Sequence, residues 1–429
     1  MSDWIDLRIK NLFASSSPGD WGSEGSPETG VPVLRSTNFC NDGSIDFSDV
    51  AFRSIDDRRL DRRRVNTGTI LIEKSGGSPT QAAGRVVYCG RDLNGTASNF
   101  IEVIKVRPDF DPRYVAYVLY YLYQIGLVLK YQQQTTGIIN FKLNEYSEEV
   151  IKSASFKPEQ EKIAEILSTV DQAIEQTEAL VAKQQRIKIG LMQDLLTRGI
   201  DENSNLRTES THKFKDSPLG RIPFDWKASK FALVGTWASG GTPPKANPSF
   251  WGDDIPWLCP KDMKTFDISV TTDGLTRAGA RHGGREMPPR TVFIVVRGMI
   301  LAHTFPVCIT SVPMTFNQDV KGIVTTTDLD PRFFAYWLVS HGHDLLKVTT
   351  TATHGTKRFD MKDLFDVDIA IPDKDEQIRI VSRFDTLEAD ILATKKGATK
   401  LRLLKTALMQ DLLTGKKRVT SLLQQTLTH

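Results

Sequence analysis

The sequence predicts a mixed α/β (α+β) protein made by tandem duplication, in which a globular domain followed by a long helix occurs twice. The heptapeptide Leu-Met-Gln-Asp-Leu-Leu-Thr stands at 191–197 and again at 408–414. Each copy is preceded at the same offset by Glu-Gln-x-x-Ile, at 159–163 and 376–380. Asp-Pro-Arg-aromatic-x-Ala-Tyr is also doubled, at 111–117 and 330–336. Because these matches keep one order in both halves, the chain contains two copies of one unit.

The duplication and the local composition together predict the domain boundaries. A first globular domain covers 1–157, a long helix 158–199, a polar linker 200–216, a second globular domain 217–374, a second long helix 375–415 and a polar tail 416–429. In the first domain, Thr69–Glu73 and Arg85–Cys89 flank a Gly-Gly-Ser-Pro turn and predict a hairpin. Asp111-Pro112 predicts the start of an aromatic helix that runs to Leu129.

Both long helices carry apolar residues at alternating steps of three and four, which is typical of a coiled coil. One such helix could simply cover an ordinary core, but two of about 40 residues, each about 60 Å long, exceed that need. The first helix leads into the second domain and the second helix starts there, so the predicted pairing is antiparallel with a pseudo-twofold axis. The residues predicted for this coiled coil and for partner docking are Ile163, Val170, Ile174, Ile187, Leu191, Leu195, Ile380, Leu387, Ile391, Leu401, Leu408 and Leu412.

Composition limits the class of protein. An apolar content of 40% and a charged content of 25% are those of a globular protein. The four cysteines are far apart, so neither a zinc ribbon nor a disulfide scaffold is indicated. The sequence has no signal-peptide pattern and no long apolar run, from which we expect a cytoplasmic protein without a membrane partner.

Arginines are concentrated in each globular domain, although the net charge is only +3. Arginine suits both phosphate contacts and bidentate guanine contacts, and glycine lets a loop approach a backbone closely. The alternative is that these arginines are solvated or pair with neighbouring acids such as Asp56, Asp57 and Asp61. The candidate DNA contacts are Arg58, Arg59, Arg62, Arg63 and Arg64 in the first domain, and Arg277, Arg281, Arg285, Arg290, Lys357 and Arg358 in the second.

The sequence offers little support for catalysis. Neither a P-loop nor a dinucleotide-binding glycine motif is present, and no cofactor or metal site is predicted. Asn247-Pro-Ser-Phe250 resembles the base-holding loop of amino-methyltransferases but has serine for the second proline, which favours a simple turn. His341-x-His343 lacks cysteine or acidic partners at suitable spacing, which favours a surface pair over a metal site.

With these residues in view, the chain resembles the specificity subunit of type I DNA restriction-modification systems. The resemblance is carried by Trp-Gly-Asp-Asp-Ile-Pro-Trp at 251–257, Gly-Gly-Thr-Pro at 240–243, Ser-Pro-Leu-Gly-Arg-Ile-Pro at 217–223 with Trp226, the Glu-Gln pairs and the doubled heptapeptide. It implies two target-recognition domains that each read half of a bipartite, asymmetric site in double-stranded DNA. The helices would set the spacer and dock two modification subunits that hold S-adenosylmethionine. Restriction subunits that use ATP and magnesium would join them, and this chain would itself be non-catalytic.

The first half departs from this pattern because it has no counterpart of Ser217–Pro223. Either its N-terminal strand is shorter or the C-terminal tail supplies its missing edge. Two other functions stay open at this stage: a self-sufficient DNA methyltransferase that reads its own site, and a coiled-coil adaptor for proteins without a DNA role.

Overall fold

The computed structural model describes residues 4–78, 80–135, 137–351 and 355–426. Two compact units are present: 1–178 together with 396–429, and 179–395. Each unit therefore contains one globular domain and half of each long helix. No helix in the described ranges is long and apolar enough to cross a membrane.

The first unit is a mixed α/β domain. Its strands are β1 (Trp4–Arg8), β2 (Phe13–Pro18), β3 (Ser23–Glu24), β4 (Val31–Leu34), β5 (Ala51–Ser54), β6 (Thr69–Glu73), β7 (Ser75–Gly77), β8 (Val86–Cys89), β9 (Thr96–Ala97), β10 (Ile101–Val106), β11 (Gln132–Thr135), β12 (Ile138–Phe141) and β13 (Val150–Ala154). Its helices are α1 (Asp57–Asp61), α2 (Pro112–Gln124), α3 (Leu143–Tyr146) and the first half of α4 (Lys157–Thr197).

Two four-stranded sheets organise this unit, in the orders β2-β10-β6-β8 and β3-β5-β4-β9. The predicted hairpin is confirmed, since Thr69 pairs with Cys89 and Ile72 with Val86. The aromatic helix is confirmed but ends at Gln124 rather than Leu129. It stops there because Gly126 adopts a left-handed conformation, with φ of 77°.

The second unit repeats the architecture. Its strands are β14 (Phe214–Ser217), β15 (Gly220–Pro223), β16 (Lys227–Lys230), β17 (Gly235–Ser239), β18 (Trp251–Leu258), β19 (Asp267–Ile268), β20 (Asp273–Leu275), β21 (Val292–Val295), β22 (Val307–Thr310), β23 (Thr315–Phe316), β24 (Val320–Thr325), β25 (Thr349–Thr351), β26 (Lys357–Phe359) and β27 (Asp368–Ile371). Its helices are α5 (Arg277–Gly283), α6 (Pro331–Ser340), α7 (Gly342–Lys347), α8 (Met361–Phe365) and the first half of α9 (Lys374–Leu413). The main sheet has the order β17-β24-β21-β22-β19 and the smaller one β20-β18-β23.

The predicted antiparallel pairing of the long helices is confirmed within the units. In the first unit, Lys405 pairs with Asp171 at 2.7 Å and Arg402 with Glu178 at 2.5 Å. Partners on α9 thus move toward its N-terminus as the residues on α4 advance, which is the antiparallel direction. In the second unit, Lys188 and Glu388 form the corresponding ion pair.

The Glu-Gln pairs that open both long helices are fully buried, and their glutamates bind segments that follow a long helix. In the second unit, the Glu376 carboxylate accepts hydrogen bonds from Arg207 and Trp226, each at 3.0 Å, and from the Ile200 N–H at 2.8 Å. Burial raises the pKa of Glu376, and these donors act in the opposite direction. The predicted linker is therefore more ordered than its polar composition suggested, because the charge of Arg207 is neutralised by a buried carboxylate.

The first unit uses the C-terminal segment in the same way. Arg418 donates to both oxygens of Glu159, at 2.7 and 3.0 Å, and Val419 is 2% exposed within the core of this unit. The tail continues as the short helix α10 (Thr420–Thr426). It supplies buried contacts rather than a strand, and in the described part of the first unit no hairpin corresponds to β14–β15.

Candidate nucleic-acid interface

Each predicted arginine cluster begins on a short helix, and the two helices occupy the same position of the duplicated fold. Helix α1 follows β5, which pairs antiparallel with β4, and β4 pairs parallel with β9. Helix α5 follows β20, which pairs antiparallel with β18, and β18 pairs parallel with β23. Clusters that the sequence indicated by arginine density alone therefore occupy equivalent places in the two units.

Of the arginines on and just after helix α1, some are bonded to the rest of the unit and others face solvent. Arg59 pairs with the buried carboxylate of Asp20 at 2.7 Å, and Arg63 donates to the Pro18 carbonyl at 3.0 Å. Arg58 and Arg62 are exposed, and their side chains have no hydrogen bond or ion pair to any described residue. The anchored pair fixes the helix, and the other two present uncompensated charge to solvent.

Helix α5 is held by a hydroxyl cap and by a close backbone approach. The Thr276 hydroxyl accepts from the Gly279 N–H at 3.1 Å. A Cβ at Gly279 would lie 2.1 Å from the Phe250 carbonyl oxygen, so only glycine fits this position. The His282 ring stacks on Phe250 with centroids 4.5 Å apart. The exposed side chains of Arg277, Arg281 and Arg285 have no ion pair within the described ranges.

Two further predicted arginines, besides Arg59 and Arg63, form ion pairs at the surface. Arg64 pairs with Asp61 at 3.1 Å. Arg290 pairs with Asp330 at 2.9 Å, and its backbone has the unusual φ of 66°. Their roles as DNA contacts stay predictions.

A hairpin in each unit adds a second polar element. Lys357 and Arg358 lie on β26, which pairs with β25. The hairpin β11–β12 of the first unit exposes the side chains of Gln133 and Gln134. Glutamine can form two hydrogen bonds to an adenine edge, so these residues are further candidates that arginine density did not indicate. The available signal was the run of three consecutive glutamines at 132–134.

The turn interpretation of 247–250 is confirmed. Pro248–Phe250 form one turn of 3-10 helix, and the Asn247 side-chain oxygen accepts from the Ser249 N–H at 3.1 Å. Of the histidine pair, His343 is exposed, whereas the His341 ring is half-buried and stacks on Trp337 with ring centroids 3.9 Å apart. Burial lowers the pKa of His341.

The predicted helix interface is partly core and partly solvent-accessible. Ile163 and Leu412 join the core of the first unit, and Leu195 and Ile380 join the core of the second. Ile391 is also buried, whereas Val170, Ile174, Leu191, Leu387, Leu401 and Leu408 are half-buried. Ile187 is 49% exposed.

Other apolar side chains of the long helices also face solvent. Leu403 and Leu404 are exposed in the first unit, and Leu180, Ile189, Ile378 and Leu392 in the second. Contiguous exposed apolar surface marks sites that bind other proteins, whereas single exposed apolar residues are ordinary.

Comparisons with known proteins agree with this fold. Residues 223–401 match the family model described as type I restriction modification DNA specificity domain. The specificity subunit of the Escherichia coli type I restriction enzyme EcoR124I/EcoR124II is 30% identical over 227 residues, which cover 51% of this chain and 55% of that protein. The match thus spans about half the length of this relative.

Longer matches have lower identity. The putative type I restriction enzyme MjaX specificity subunit of Methanocaldococcus jannaschii is 22% identical over 97% of this chain and 94% of its own. The crystal structure of a type I system S subunit from M. genitalium has a TM-score of 0.56 at 14% identity and covers 96% of both chains. A structure from work on complex assembly and conformational transition of the type I R-M system has a TM-score of 0.60 at 16% identity, covering 96% of this chain and 98% of its own. The resemblance to type I specificity subunits is confirmed.

Proposed function

We propose that the whole chain is the DNA sequence-recognition subunit of a type I restriction-modification complex, a proposal supported by the match of residues 223–401 to the type I restriction modification DNA specificity domain. Each globular domain reads one half of a bipartite, asymmetric site in double-stranded DNA. The two halves differ because the two domains differ in sequence.

The observation that carries this proposal is the equivalent position of α1 and α5. Both helices present exposed arginines without a partner in the described structure, Arg58 and Arg62 on or beside α1 and Arg277 and Arg281 on α5. Phosphate contacts from such groups orient a protein on DNA, and base contacts then add specificity. With a net charge of only +3, the attraction to DNA depends on these local clusters rather than on the whole chain.

The partners in this proposal are two modification subunits and the restriction subunits. The exposed leucines and isoleucines of α4 and α9 support docking of other proteins along the long helices. The chain itself is non-catalytic, and the partners hold S-adenosylmethionine, ATP and magnesium.

The test is whole-genome base-modification mapping in a host with and without this gene. The expected result is that methylation disappears from one bipartite, asymmetric motif when the gene is deleted. If no modified base depends on the gene, the DNA-recognition role is contradicted for that host. S-adenosylmethionine binding by the isolated chain, measured by calorimetry, would contradict the non-catalytic role.

A further inference from the structure

The first unit contains a cavity of about 890 Å³. Its walls are α2, the loop at 41–45, Val86 and Tyr88 of the terminal strand β8, and the parts of α4 and α9 that belong to this unit. Three tyrosines of α2 line it: Tyr117, Tyr120 and Tyr121. Burial raises the pKa of Tyr120 to about 12, so this ring offers a neutral aromatic surface.

The second unit fills the corresponding place with its own chain. Strand β19 pairs in parallel with β22 and forms the fifth strand of the main sheet. Beside it, the Phe266 ring stacks on Tyr336 of α6, with centroids 4.4 Å apart. The next residue, Asp267, binds the guanidinium of Arg332. An aromatic residue followed by a carboxylate therefore closes this side of the second unit.

The first unit keeps counterparts of the residues that contact the β19 segment in the second unit, but it has no described strand at that position. Its main sheet ends at β8, which corresponds to β22, and among the described residues no strand pairs with the outer edge of β8. Arg113 and Tyr117 occupy the positions of Arg332 and Tyr336 in the doubled Asp-Pro-Arg motif. Arg113 lines the cavity and is 43% exposed, and its contact with Asp111 is long, at 3.8 Å.

We propose that this cavity binds an extended segment of a partner protein, which adds to β8 as a parallel strand and carries an aromatic residue followed by a carboxylate. An unpaired strand edge recognises such a segment through main-chain hydrogen bonds, and neighbouring pockets select its side chains. The aromatic ring packs on the α2 tyrosines and the carboxylate binds Arg113. The other two cations of the cavity, Arg402 and Lys405, are already paired with Glu178 and Asp171. This inference does not rest on the proposed DNA role.

The test uses the full chain and a fluorescein-labelled peptide that copies residues 261–270 of its own sequence, Lys-Asp-Met-Lys-Thr-Phe-Asp-Ile-Ser-Val. Fluorescence anisotropy is expected to show saturable binding. Arg113→Gln is expected to weaken it about tenfold, because a charge-assisted hydrogen bond is lost. Peptides with alanine in place of Phe266 or asparagine in place of Asp267 are expected to bind about as weakly to the unmodified chain.

Arg107→Gln is the matched control, since Arg107 is an exposed arginine of the same unit outside the cavity. It is expected to bind the peptide like the unmodified chain, and circular dichroism checks that both variants are folded. Failure to saturate, or equal binding by the Arg113→Gln variant, overturns the proposal. If the chain self-associates, Arg113→Gln abolishes that self-association, and no peptide binds, the cavity binds a second copy of the chain. That result also overturns the proposal.

Discussion

Replacing Arg418 with alanine is expected to loosen the first unit selectively. The change leaves the Glu159 carboxylate, which is fully buried, without the guanidinium that now donates to both of its oxygens. Breaking a buried pair from one side costs about 3–5 kcal/mol. The Arg418 side chain is 35% exposed, so water reaches the site and the expected loss is about 2–3 kcal/mol.

Native-state hydrogen exchange read by mass spectrometry measures this loss where it occurs. A loss of about 2–3 kcal/mol corresponds to amide exchange roughly 30 to 150 times faster in the first unit when exchange is limited by opening. Amides of the second unit serve as the internal control and are expected to stay unchanged. Lys416→Ala is the matched variant, because Lys416 is 70% exposed and its contact with Asp411 is long, at 3.7 Å.

A double substitution separates the ion pair from simple loss of packing. Adding Glu159→Gln to Arg418→Ala removes the buried charge, so part of the lost protection is expected to return. The reasoning is refuted if Arg418→Ala and Lys416→Ala give the same exchange rates, or if the second substitution only adds to the loss.

Three further outcomes are expected. Arg62→Glu and Arg281→Glu, each tested by base-modification mapping, should each weaken recognition of a different half-site; loss of the same half-site by both would contradict the assignment of one half-site to each domain. A heptad inserted at 181–187, with a matching heptad in the second long helix, should lengthen the DNA spacer by about three base pairs and leave both half-sites unchanged. The reason is that seven helical residues span about 10 Å. An unchanged spacer would refute the role of the helices. Trp226→Phe should cost about 2–3 kcal/mol in urea unfolding of the second unit, because Glu376 loses a buried donor; a change below about 0.5 kcal/mol would show that the bond contributes little.

Repetition made much of the fold predictable. Matches in constant order placed both long helices to within two residues at their ends, and the connection between domains was enough to give their antiparallel direction. Short apolar runs on either side of a glycine-rich turn located β6 and β8. These features were predictable because they depend on repeated or local sequence patterns.

Contacts between residues far apart in sequence were not predictable in this way. Arg418 looked like one basic residue in a polar tail, and only the fold shows that it meets Glu159, 259 positions away. Arginine density located both candidate clusters, but it could not separate Arg58 and Arg62, which are free of described partners, from Arg59, which is bound to Asp20. Charge pairing depends on which acid the fold brings near, and a single sequence does not contain that information.

The reach of the C-terminal segment back to Glu159 has a consequence for synthesis on the ribosome. In the second unit the buried Glu376 is synthesised after Arg207, so Arg207 has already been translated when the Glu376 carboxylate emerges. In the first unit the order is reversed, and Glu159 emerges 259 residues before Arg418. At about 5–20 residues per second, this interval lasts on the order of tens of seconds. The half of the protein that is translated first is therefore the last to acquire its complete set of native contacts.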